Sequence, residues 1–274
     1  MTESLLPTLL AAIRTGEPVA LVTVVDGPGA GAKAVITPTD ALGSLGNDAL
    51  DRAVIGDARA MLMHGSTATR HFGEHGEQRE DTLEVFIQSF APRPRMYVFG
   101  AIDFSRATVR IGKLLGYHVT VCDARATFAT RKRFPEADEV VVRWPHEFLA
   151  EAPVDERTAL CVLTHDPKFD VPLLMAAVKT RAGYVGAMGS RRTHADRIRR
   201  LEAEGVGADD VRRIRGPIGL DIGARTPEEV AVAIAAEIIA LRYGKPAVAL
   251  TDRGGPVHDE PARARPIESG AATA

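Results

Sequence analysis

Cysteine is scarce in this 274-residue sequence: there are two, Cys122 and Cys161. They form no C-x-x-C pair and match no zinc-site spacing, and both fall within apolar runs, HVTVCD and ALCVLTHD. A disulfide framework and a cysteine metal centre are therefore excluded, and buried free thiols in a reducing compartment are expected. A basic excess is also missing. The 34 Lys and Arg against 36 Asp and Glu leave a formal net charge of -2, which argues against a dedicated nucleic-acid binder. No apolar run is long enough to cross a bilayer, so no membrane role is expected. The opening run SLLPTLLAAIRTG lacks a basic leader and a small-residue cleavage site, and it reads as a short amphipathic helix, which makes the cytoplasm the expected location. Internal repeats are absent as well. What remains is an ordinary composition, 45% hydrophobic and 26% charged, on a chain longer than a typical single domain. Two domains, or one large α/β domain with an appendage, are expected.

The pattern changes near residue 91. Before it, PVALVTVVDG and AKAVITP flank a Gly-rich turn and predict a hairpin; a helix follows from Asp48 to Met63, capped by Asn47 or Asp48. The polar, Gly-rich HGSTATRHFGEHGEQRED reads as a loop or long hairpin tip, and LEVFIQSF as a strand. APRPR, residues 91–95, predicts a stiff linker between a domain over 1–90 and a second over 96–250. There, short apolar strands (RMYVFGA, HVTVCDA, EVVVRWP, TALCVLTHD, GYVGAMGS) alternate with helices, one of them from about Val171. This predicts an α/β domain with a Rossmann-like parallel sheet and helices on both faces, beside a smaller N-terminal α/β domain. A last long helix is marked by Thr226 as N-cap, Pro227 at its first position, Glu229 closing a capping box and Gly244 as its stop. The tail over 251–274, rich in Pro, Gly and Ala, reads as disordered.

Ligands of parallel α/β sheets gather outside the carboxyl ends of the strands, which selects four segments and one further loop. The turn YVFGAIDFSRA has Gly100, but Ile102 stands where a dinucleotide loop carries its second glycine; Asp123, followed by Arg125, lies at the offset of a ribose-binding acid. That combination supports an NAD(P) site, weakened by Ile102, or a plain strand-to-helix turn. In GAMGSRR, Ser190 caps a helix whose first turn carries Arg191 and Arg192, and with Gly189 before it the segment reads as an anion site or as a simple cap with solvated arginines. In THDPKFD, His165 and Asp166 read as a general acid and base or as ligands of a polar ring; alternatively Asp170 caps the helix and His165 satisfies a loop carbonyl. RGPIGLDIGARTPEE, with Gly219 and Asp221, is an anion cradle or a sharp turn. His64, His71 and His75 match no compact ligand pattern, and no metal is expected.

Together, GSLGNDALDRAV, PRPRMYVFGAIDFSRA, VTVCDARATFATRKRFPEAD, VLTHDPKFDVPLL, YVGAMGSRRTHADR and RGPIGLDIGARTPEEVAVAIAAEI resemble the XdhC/CoxI family of maturation factors for molybdenum hydroxylases. The resemblance runs from about Leu42 to Leu241. It implies a non-enzymatic carrier that binds molybdenum cofactor as cargo, helps it acquire a terminal sulfur from a cysteine desulfurase, and inserts it into a xanthine dehydrogenase-type client. It implies cofactor-binding roles for Gly100, Asp103, Asp123, Arg125, His165, Asp166, Gly189, Ser190, Arg191, Arg192, Gly219 and Asp221, with the phosphate near Ser190 to Arg192. The family loop G-x-G-H/D-x-A is matched at Gly100 and Asp103 and departs at Ile102 and Ser105. The family's Cys-Gly-Gly before the last N-terminal strand is replaced by REDTLEV from Arg79, so that thiol is missing. The rival readings are an NAD(P)-dependent oxidoreductase and a cofactor-free assembly partner. A homodimer is an open expectation, since no interface signature is legible.

Overall fold

The computed structural model describes residues 5–77, 82–164 and 166–254. The described residues divide into two compact units: the first takes those up to Pro92 together with Leu250–Gly254, and the second takes those from Arg93 to Ala249. The tail beyond residue 254 lies outside the described residues.

The first unit is a five-stranded antiparallel sheet with a helix on each face. Its strands are β1 (Val19–Asp26), β2 (Lys33–Ile36), β3 (Ala41–Ser44), β4 (Ala68–Phe72) and β5 (Leu83–Phe90), ordered β3-β2-β1-β5-β4. Side chains alternate along a strand, so β1 serves both faces. Ala20, Val22 and Val24 join Leu50, Val54 and Met61 of α2 (Asp48–His64), while Val19 packs with Leu9 and Ala12 of α1 (Leu5–Thr15). Asn47 caps α2 by accepting from Ala49 N–H and Leu50 N–H at 3.1 and 3.0 Å, and Gly65 ends it at φ 63°. The expected hairpin and helix are present. The segment expected as a loop or long hairpin tip contains the strand β4, which pairs antiparallel with β5 from Ala68↔Ile87 to Phe72↔Leu83. Its sequence hides this because β4 is an edge strand that buries only Phe72, so no apolar alternation is needed. Residues 78–81, which include the start of REDTLEV, lie outside the described residues.

The second unit is a wholly parallel six-stranded sheet. β6 (Arg95–Phe99), β7 (His118–Cys122), β8 (Glu139–Val141), β9 (Ala159–Val162), β10 (Tyr184–Ala187) and β11 (Ile214–Arg215) lie in the order β11-β10-β9-β6-β7-β8. Successive connections run outward in both directions from β6, so strand order reverses between β6 and β9. One face is covered by α3 (Asp103–Leu114) and α8 (Pro227–Arg242), with Val98, Val119, Val121, Cys161 and Ile234 between them. The other carries α4 (Pro145–Glu151), α5 (Pro167–Ala177), α6 (Arg191–Ala203) and the short α7 (Ala208–Arg212), over Phe99, Cys122, Leu160, Val162 and Leu174. Burial on both faces explains the near-continuous apolar strands. The α8 boundary follows its sequence signals: Thr226 accepts from Glu229 N–H, and Glu229 reaches back to Thr226 N–H at 3.0 Å.

Two boundaries differ from expectation. The linker is shorter than 91–95: Arg95 already belongs to β6, and Arg93 is tied into the second unit by Tyr117 O at 2.9 Å and Asp138 at 2.9 Å. Helix α5 starts at Pro167 rather than near Val171, with Asp166 as the cap, accepting from Lys168 N–H at 3.1 Å. Asp170 does not cap it; it is buried inside the helix.

Candidate functional site

The reversal of strand order puts the β6, β7, β9 and β10 carboxyl ends side by side, where a doubly wound sheet takes its ligands. At the end of β6, Gly100 adopts φ +103°, and a Cβ there would lie 2.7 Å from Thr164 Cγ2 and 3.1 Å from Thr164 N. The glycine is thus required by the neighbouring β9 end. Ser105, fully buried, donates its hydroxyl to Gly100 O and closes the turn from below. Gly100→Ala adds both a strained backbone and a clash with backbone, so a loss of about 1–3 kcal/mol is expected. Urea unfolding checks it, and an unchanged midpoint would contradict this account of the glycine.

Asp123 faces inward. One oxygen accepts from Ala101 N–H at 2.7 Å and Arg125 Nη2 at 2.8 Å, the other from Arg125 N–H and Nε, both at 2.9 Å. Burial alone would raise its pKa, but the Arg125 fork and these N–H groups outweigh burial and hold the carboxyl below its ordinary range. Four donors fill the acceptor capacity of a carboxylate, so Asp123 fastens the Gly100 turn to the β7 end and has no oxygen left for a ribose. Arg125 stacks over Phe128 at 4.6 Å and feels the charge of Asp166 across the reversal point, so the loops after β7 and β9 converge. Asp166 is also 3.4 Å from Lys168. His165 lies outside the described residues.

Beneath these loops runs a buried polar chain that the sequence did not announce. Thr164 donates its hydroxyl to Asp170, Asp170 pairs with Arg197 Nη2 at 3.0 Å, and the same nitrogen donates to Met188 O at 2.8 Å. The one available signal is spacing: Arg197 sits four residues before buried Leu201, on the inward face of α6. The chain joins the β9 end to the β10 end.

At the β10 end, Gly189 has φ +144° and Ser190 caps α6 by accepting from Thr193 N–H at 3.1 Å. Arg191 and Arg192 are exposed at the positive end of this 13-residue helix. Arg191 reaches Asp221 at 3.5 Å, so the GAMGSRR and GPIGLDIG loops meet, with both side chains almost fully solvated. Gly219 differs from an anion cradle. Its N–H donates to Glu237 of α8 at 2.9 Å, and a Cβ there would press on Ala233 and Ile234 at 3.1 Å. Asp103 is exposed at the start of α3, 3.5 Å from Arg133.

Both thiols are fully buried, on opposite faces of the sheet, and burial pushes each pKa up to about 12. Such thiols are inert. Iodoacetamide at neutral pH is expected to label neither cysteine in the folded protein and both after denaturation, read by mass spectrometry; rapid labelling of either would contradict the packing.

A family profile described as "XdhC Rossmann domain" matches residues 96–238, the whole site included. The chain belongs to the XdhC family. A second profile, "XdhC and CoxI family", matches 12–73. Among curated proteins, a probable xanthine dehydrogenase subunit of Bacillus subtilis is 32% identical over 163 residues, 60% of this chain and 47% of that protein. "Molybdenum cofactor insertion chaperone PaoD" of Escherichia coli is 29% identical over 160 residues, 58% of this chain and 44% of that one. This XdhC-family chain thus spans less than half the length of either relative. A crystal structure of a xanthine dehydrogenase from Bacillus halodurans superposes with a TM-score of 0.50 at 19% identity, covering 89% of this chain and 97% of that one, which shows the shared fold. Among the described residues, no helix is long and apolar enough to cross a membrane.

Proposed function

We propose that this XdhC-family chain binds molybdenum cofactor as cargo and inserts it into a xanthine dehydrogenase-type molybdenum hydroxylase. The observation that carries the reading is family membership across the site-bearing domain, supported by the likeness to a protein named for cofactor insertion. Within the site, the exposed cations at a helix start are Arg191, in solvated contact with Asp221, and Arg192, at the Ser190-capped end of α6; the cofactor phosphate is proposed to bind there against Gly189 and Ser190. Asp103, Asp166 and Asp221 offer exposed carboxylates to the N–H groups of a pterin ring. Gly100, Asp123, Arg125 and Gly219 are assigned to shaping the loops, because their polar groups or free space are already used.

Sulfuration needs a nucleophilic or persulfidated sulfur, and both thiols of this chain are buried with raised pKa values. The terminal sulfur is therefore proposed to come from a cysteine desulfurase, with this chain only holding the acceptor. The test is reconstitution: apo-hydroxylase mixed anaerobically with limiting released cofactor, with and without this protein. Faster or fuller recovery of hydroxylase activity with the protein supports insertion, and identical recovery contradicts it.

A further inference from the structure

A second cationic site lies on the α3/α8 face of the sheet. A cavity of about 460 Å³ is lined by Ile102, Asp103, Arg106, Ala107 and Arg110 of the α3 end, Lys132 to Phe134 of the β7–β8 connection, and Pro227 and Glu228 of α8. That volume is within the ~300–1,000 Å³ of small-molecule sites. Four cations, Arg106, Arg110, Lys132 and Arg133, face two carboxylates, Asp103 and Glu228. Arg110 is paired with Glu136 at 2.9 Å, and Arg133 sits 3.5 Å from Asp103. Among the described residues neither Arg106 nor Lys132 makes a hydrogen bond or ion pair, although the charge of Arg106 acts on Glu136. The floor is apolar: Ile102 and Pro227, each half-buried, line it. In addition, the cavity reaches the start of α3, a 12-residue helix whose N-cap, Ile102, has no side-chain acceptor; there Ser105 Oγ accepts from Ile102 N–H at 3.4 Å and Ser105 N–H turns back to Ile102 O at 3.1 Å.

We propose that this cavity binds a phosphate monoester of small-molecule size, with Arg106 and Lys132 on the phosphate, the start of α3 beside it, and the organic part against Ile102 and Pro227. Four cations against Asp103, Glu228 and the Glu136 that pairs with Arg110 leave an excess of positive charge in one concave place, and Arg106 and Lys132 are the two left to meet a dianion. The apolar floor favours an organic phosphate over a bare ion. The site lies beyond the strand-end site proposed above: the two share only Asp103, and each has its own pair of arginine or lysine anchors.

Calorimetric titration with AMP and with inorganic phosphate tests it, on the full chain and on two double variants, Arg106→Ala/Lys132→Ala and Arg191→Ala/Arg192→Ala. All four residues are exposed, so folding is expected to survive and is checked by circular dichroism. Saturable AMP binding, tighter than that of phosphate, is expected, with one binding event weakened at least about tenfold in Arg106→Ala/Lys132→Ala and that same event retained in the other variant. Absence of saturable binding, or equal affinity of the Arg106→Ala/Lys132→Ala variant, would overturn the proposal. Cofactor binding that persists in Arg106→Ala/Lys132→Ala but fails in Arg191→Ala/Arg192→Ala keeps the two sites distinguishable.

Discussion

Arg197→Ala is expected to lower the unfolding free energy by about 3–5 kcal/mol, the cost of removing one member of a buried ion pair. Both side chains of the Asp170–Arg197 pair are only 4% exposed. Removing the guanidinium takes the cation away from the buried Asp170 carboxylate, frees Met188 O of its donor, and opens a cavity under Gly189. The pair is also not fully satisfied, since Arg197 Nη1 has no hydrogen-bond partner among the described residues. For that reason the double variant Asp170→Leu/Arg197→Met, which removes both charges and keeps the volume, is expected to recover much of the loss. Urea unfolding of the three proteins checks both statements. A loss below about 1 kcal/mol for Arg197→Ala, as for a solvated pair, would contradict the buried assignment.

Arg191→Ala/Arg192→Ala is expected to weaken cofactor binding by about 10–100-fold while leaving stability nearly unchanged, since charge-assisted hydrogen bonds contribute about 1.5–3 kcal/mol each. Stability is spared because Arg191 is 87% exposed and its partner Asp221 is 88% exposed, so their contact is worth little in water. The same solvated pairing lets Arg191 exchange Asp221 for a phosphate at low cost. Affinity is read from the fluorescence of the oxidised pterin retained after gel filtration at several protein concentrations. Equal retention by the variant would move the phosphate away from α6, and a lowered melting temperature would show that the arginines act on the fold.

The second unit was legible because strands buried on both faces must be apolar throughout, and because Thr226, Pro227 and Glu229 mark the α8 start with side chains that bond locally. Local chemistry also marked the Ser190 cap. Long-range pairing was not legible. Nothing in THDPKFD or RRTHADRIRR says that Asp170 meets Arg197, 27 residues away, so Asp170 read as a cap when Asp166 is one. Asp123 stood at a ribose-binding offset, yet offset cannot tell whether a carboxylate points to a ligand or to Ala101 N–H and Arg125. Gly100 read either as a dinucleotide-loop glycine or as a plain strand-to-helix turn, and nothing local says that its missing side chain makes room for Thr164. The edge strand β4 escaped because one buried residue leaves no period to detect.

Anaerobic incubation of the purified protein with released molybdenum cofactor, followed by gel filtration and oxidation of the bound pterin to its fluorescent product, tests the carrier reading most directly. Stoichiometric fluorescence eluting with the protein is the predicted result. Fluorescence confined to the small-molecule fractions, while a known carrier retains the cofactor under the same conditions, would contradict it.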